Sequence, residues 1–124
     1  MSWKLEVYRA FFLAFGVFQV IANLNYLLLK DGIKLARKQH QEIPSTVTDK
    51  QMKIKVTLMF SFGIVFLSNG VVSFATHSLN QTYYVITLIL FAVYASVEAL
   101  YYKYWRTFGF SIISILLLIG FIML

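Results

Sequence analysis

Four stretches of the chain are almost purely apolar: 10–29, 56–75, 83–102 and 108–124. The first two are uncharged over twenty residues each, the third holds only Glu98, and the fourth is uncharged over seventeen. At about 1.5 Å per residue each can cross a hydrocarbon core of about 30 Å, the fourth only just. In lipid the backbone must satisfy its own hydrogen bonds, so the four runs are predicted to be helices. None alternates polar and apolar residues as an outer-membrane strand does. The pattern predicts an all-α integral membrane protein, a single domain of four transmembrane helices in a compact bundle.

The longest polar interruption, Lys30 to Lys55, has structure of its own. Asp31-Gly32 predicts a bend after the first span. Residues 33–39 are good helix formers, and Pro44 ends any helix by fixing its φ and disfavouring α at Ile43. Thr48 followed by Gln51 fits a capping box, so a second helix should start near Thr48 and run straight into the second span. The expected result is a cytoplasmic helical hairpin between helices 1 and 2, protruding from the bundle. The connection Thr76 to Thr82 is short, polar and uncharged.

Inside the spans the polar residues are not scattered. At about 100° per residue, Phe12, Gly16, Gln19, Asn23 and Tyr26 share one face of the first helix. Phe62, Phe66, Asn69, Ser73 and Thr76 share one face of the second, and Thr87, Phe91, Tyr94, Glu98 and Tyr101 one face of the third. Such faces should turn toward the bundle interior, since amides and carboxyls are costly against lipid. Measured from the loop-side ends of the runs, Glu98 lies about 6 Å deep, Ser61 about 8 Å, and Asn23 and Ser114 about 9 Å, with Gln19 at about 15 Å and Asn69 at about 20 Å. Glu98, Asn23, Gln19, Ser61, Asn69, Tyr94, Tyr101 and Ser114 are therefore the candidate intramembrane cluster. It is read first as interhelical glue and second as a cavity open toward the basic side. Glu98 is expected to pair with Lys103, Arg106 or Lys30, helped by Tyr94, Tyr101 and Asn23, or to be protonated. Ala95 and Ala99 have the small-xxx-small spacing of close helix packing, used internally or as a homodimer face.

Composition sharpens the class. Of 124 residues 60% are hydrophobic and 13% charged, where soluble domains carry about 25% charge. That excludes a soluble domain, a disordered chain and a nucleic-acid-binding arm, and the length leaves no room for a separate catalytic domain. Cysteine is absent, which removes disulfides and thiolate chemistry. The net charge of +6 comes from residues flanking the apolar runs, so an anionic membrane surface is a better partner than nucleic acid. Lys30, Lys34, Arg37, Lys38, Lys50, Lys53 and Lys55 lie in the first connection, Lys103 and Arg106 in the third, and only Lys4 and Arg9 on the other side. By the positive-inside rule both termini face outside and the basic loops face the cytoplasm of a cell membrane. The first span is too long and too polar for a cleaved secretory signal and should remain as an anchor.

Chemistry-bearing motifs are few. His40 and His77 fall on opposite sides of the membrane, and His40 with Glu42 and Asp49 offers at most a weak divalent site, so no metal or cofactor is expected. No Ser-His-Asp constellation, phosphate loop or zinc-protease signature occurs. Asn80-Gln81-Thr82 matches the glycosylation pattern but sits too close to the bilayer to be modified. The expectation is a non-enzymatic accessory, stabilising or immunity-type membrane protein, acting through anionic lipid at the inner leaflet, a membrane-protein partner or a homodimer. The alternative is a small oligomeric transporter or channel with Glu98 as its proton or cation site.

Overall fold

A computed structural model describes residues 2–124. Helix α1 spans Trp3–Leu28, α2 Gly32–Gln39, α3 Asp49–Thr76, α4 Gln81–Tyr102 and α5 Trp105–Met123. Helices account for 84% of the structure, and α1, α3, α4 and α5 are each long and apolar enough to cross a membrane. The chain is a multi-pass membrane protein built as a helical bundle. Three of the five helices start at a side-chain cap. The capping box is present, with Gln51 N–H donating to Thr48 Oγ1 at 3.1 Å and Thr48 N–H to Gln51 Oε1 at 2.9 Å. Ser2 Oγ accepts from Leu5 N–H, and Asn80 Oδ1 from Tyr83 N–H. Asn80 is thus a helix cap, which satisfies one of the orphan donors of α4.

The bundle is assembled from two helix pairs joined in different ways. The antiparallel α1 and α3 approach through glycine. A Cβ on Gly16 would strike the backbone of Leu67, one on Gly63 would lie 2.8 Å from Gln19 Cβ, and one on Gly70 2.8 Å from Leu13 N. Three glycines let the two backbones touch along residues 13–20 of α1 and 63–70 of α3, the way membrane helices gain van der Waals contact without a hydrophobic driving force. The second pair, α4 and α5, is tied by Ser96 and Ser111, whose hydroxyls lie 2.9 Å apart. Ala95 and Ala99 are buried within the single chain, so the small-residue face of α4 serves internal packing.

Aromatic rings fill the space between the pairs. Phe12 stacks on Tyr84 with centroids 4.0 Å apart, Phe66 meets Phe91 edge-on at 5.3 Å, and Tyr84 stacks on Phe121 at 6.0 Å. At one end of this core the loop after α2 folds back. Ile43 and Val47 are buried with Ala36, Met52 and Val56, against Tyr26 and Tyr102. The helical hairpin expected from the sequence is present, but it does not protrude. Its loop carries two apolar side chains that find cover only beneath the bundle. Gly32 makes the bend possible, since any Cβ there would collide with the Tyr26 carbonyl.

Matched glycine substitutions test the packing. Gly70→Ala forces α1 and α3 apart and should destabilise by about 1–3 kcal/mol. Gly109 on α5 has nothing within 4 Å of an added Cβ, so Gly109→Ala should stabilise by up to about 1 kcal/mol through helix propensity alone. Thermal unfolding in detergent reads both, and equal shifts would contradict the close α1–α3 contact.

Candidate functional site

The polar residues of the spans meet at the end of the bundle that carries the loop, around one buried lysine. Lys55 lies on the interior stripe of α3, in line with Met52, Met59 and Phe66, and is 2% exposed. Its ammonium is 2.7 Å from Glu98 Oε1 on α4 and 3.0 Å from Glu42 Oε1 in the loop. It also rests on the faces of Phe110 and Tyr94, at 4.5 and 5.0 Å from their centroids. An ammonium so placed meets two carboxylates and two ring quadrupoles, which together replace its water. Tyr94 O–H donates to the other Glu98 oxygen at 2.8 Å.

The network continues from Glu42 to α1. His40, also 2% exposed, sets Nδ1 3.2 Å from Glu42 Oε1 and Nε2 2.8 Å from Asn23 Oδ1. The Asn23 amide orientation follows from its other contacts. Its nitrogen donates to the Gln19 carbonyl at 2.7 Å, which can only accept, and to Gln19 Oε1 at 2.8 Å. Its oxygen therefore faces His40. Both imidazole nitrogens thus lie within hydrogen-bond distance of side-chain oxygens. The cluster sets Lys55 and His40 against the carboxyl groups of Glu42 and Glu98. Thr107 of α5 closes it by donating to the Glu42 carbonyl. All four long helices and the loop contribute.

Burial would raise the Glu42 carboxyl, but the His40 hydrogen bond and the Lys55 charge outweigh it and hold Glu42 at about 2, against an ordinary 4.5. A carboxyl depressed on folding favours the folded state above its ordinary value. That contribution is complete above about pH 4.5 and disappears as pH falls toward about 2.

The sequence-based cluster divides on the structure. Gln19, Asn23, Tyr94 and Glu98 belong to the network. Glu98 pairs with Lys55 rather than with Lys103, Arg106 or Lys30. Lys30 and Lys103 are exposed, and Arg106 donates to Gln41 Oε1 at 3.1 Å. Ser61 turns outward and donates to the Thr57 carbonyl of its own helix at 3.0 Å, so it is no part of the site. Tyr101 is 68% exposed, although its neighbour Tyr102 packs against the loop. Asn69 belongs to a separate group toward the other end, donating to Thr87 Oγ1 at 2.9 Å beside the Ser73–Tyr84 pair at 2.8 Å. Ser114 is buried and donates to the Phe110 carbonyl.

Of the basic connection, Lys30, Lys34, Lys38, Lys50 and Lys53 are exposed. Arg37 pairs with Asp49 at 2.7 Å and donates to the Ser45 carbonyl. Asp49 is therefore drawn away from His40 and Glu42, and the three do not converge. Among the described residues no group of three or more His, Asp or Glu side chains could hold a metal ion. His40 is buried because the loop folds inward. Lys55 had a readable signal, being seven residues before Phe62 and so on its face. His40 and Glu42 had none.

Comparison of the chain with protein-family models, with curated proteins and with solved structures finds no match.

Two outcomes check the network. Lys55→Met takes the cation from Glu98 and leaves Glu42 with His40 alone, and should cost about 3–5 kcal/mol. Glu98→Gln leaves Lys55 paired with Glu42 and should cost about 1–3 kcal/mol. Equal losses in detergent unfolding would mean that Lys55 is not shared. In a pH series from 6 to about 3, the wild-type protein should lose stability more steeply than Glu42→Gln. Identical slopes would sink the assignment.

Proposed function

We propose that the chain is a non-enzymatic, multi-pass protein of the cell membrane that works as an accessory, stabilising or immunity-type factor through contacts with protein or lipid. In this reading both termini lie outside and the basic loops lie in the cytoplasm. The observation that carries it is the neutralisation of Glu98, the one charge inside the apolar runs, by Lys55. A carboxylate held by an ammonium and a phenol is a lock between α3 and α4. The donors and acceptors of the network are engaged with one another rather than turned toward a substrate. What the molecule offers outward is an apolar girdle and a face of exposed lysines. Lysines near an anionic leaflet each contribute about 1 kcal/mol of attraction.

Proteoliposomes should show no proton or potassium flux above protein-free vesicles. A flux that Glu98→Gln abolishes in a folded protein would overturn the accessory reading in favour of a transporter. Threading is tested by labelling, since the chain has no native thiol. Ser78→Cys should react with a membrane-impermeant maleimide in intact cells, and Thr46→Cys only after permeabilisation. The reverse pattern would invert the orientation.

A further inference from the structure

At the end away from the loop, side chains of α1 reach α5: Tyr8 O–H donates to the Leu117 carbonyl at 2.6 Å and Lys4 Nζ to the Phe121 carbonyl at 2.9 Å. Between that contact and the loop lies a cleft of about 820 Å³. Its walls are Phe11, Phe15 and Phe18 of α1 and Phe110, Ile113 and Leu117 of α5. Phe18 and Ile113 at its rim are 54% and 60% exposed, so it opens sideways, where lipid lies around a spanning bundle. Its loop end is polar, reaching His40, Glu42, Gln41 and Arg106.

We propose that this cleft seats one acyl chain of an anionic phospholipid, with the lipid phosphate held by Arg106. The dimensions favour a chain over a compact ligand. From Arg106 to Leu117 the cleft follows α5 for about 16 Å, close to half of a hydrocarbon core of about 30 Å, which is the depth of one leaflet. The apolar part points to the bilayer centre and the polar part to the headgroups. Charge supports an anionic head. Glu42 is covered by Lys55 and His40, so it does not repel a phosphate. Arg106 is exposed, lies 5.0 Å from the Trp105 ring centroid and donates from one nitrogen to Gln41. Its other N–H groups have no acceptor among the described residues, and a guanidinium fork matches phosphate oxygens. Gly109, one turn along α5, lines the cleft with no side chain in the way. The inference rests on the basic side facing an anionic leaflet, as proposed above.

Trp105 reports on the cleft mouth. In a Trp3→Phe background it is the single tryptophan. That protein is reconstituted in phosphatidylcholine vesicles containing equal fractions of either brominated-chain phosphatidylglycerol or brominated-chain phosphatidylcholine. Quenching should show about five-fold preference for the anionic lipid, the effect of one basic residue near a phosphate. Gly109→Leu, whose Cβ has no atom within 4 Å and whose side chain enters the cleft, and Arg106→Gln should each bring the preference close to one. Loss in both variants supports the cleft, whatever a Lys34→Gln, Lys38→Gln protein does. Preference that survives Gly109→Leu overturns the cleft, and if the double lysine variant alone loses it, the basic-face reading stands. Loss in Gly109→Leu but not in Arg106→Gln overturns the phosphate assignment. Equal quenching by both lipids in the parent overturns the cleft and the basic-face attraction together.

Discussion

Lys55 stands between Glu42 and Glu98, and the loop end of the bundle depends on that placement. An ammonium removed from water is tolerable only if opposite charge and well-directed acceptors replace hydration. Here one carboxylate comes from α4 and the other from the loop, so the solvation of a single side chain requires both to be in position. Glu42 in turn holds His40, and His40 holds Asn23 of α1. Folding the loop beneath the bundle and docking α4 against α3 are therefore parts of one electrostatic arrangement.

The remainder of the bundle complements that arrangement. Apolar surface has nothing to gain by leaving lipid for protein, so helices in a bilayer need close backbone approach, ring packing or polar bonds to stay together. This chain uses each in a different place. Glycine brings α1 onto α3, aromatic rings fill the gap between the two helix pairs, and the charged network ties the pairs where the loop meets them. The Asn69–Thr87 bond and the Ser73–Tyr84 contact do a smaller version of the same work nearer the other end. Where α1 and α5 share neither glycine contact nor polar bond, a cleft remains.

The same economy shapes the functional reading. Polar groups inside a membrane signal a pathway when they are connected and open, and a scaffold when they neutralise one another. Glu98, Lys55, Glu42 and His40 do the latter. Lys30, Lys34, Lys38, Lys50, Lys53, Lys103 and Arg106 lie outside this set and are exposed.

Much of this was legible along the chain. Long apolar runs without strand-like alternation pointed to four spanning helices, because a helix satisfies its own backbone in lipid, and Thr48 with Gln51 marked the start of α3 through a purely local exchange of hydrogen bonds. Helical periodicity put Gln19, Asn23, Tyr94 and Glu98 inside. It also contained Lys55, seven residues before Phe62, although its position at the foot of a basic stretch made it look like a surface charge. Ser61 and Tyr101 show the limits of a one-dimensional reading. Ser61 has the right depth but lies on the far side of α3 from Lys55, Met59 and Phe66, and Tyr101 lies about 100° round α4 from Tyr102, which packs against the loop. The partner of Glu98, the burial of His40 and Glu42 and the gap between α1 and α5 were decided only by tertiary structure. Each depends on where a loop closes and how far apart helices settle, and those distances are set by side chains remote in sequence.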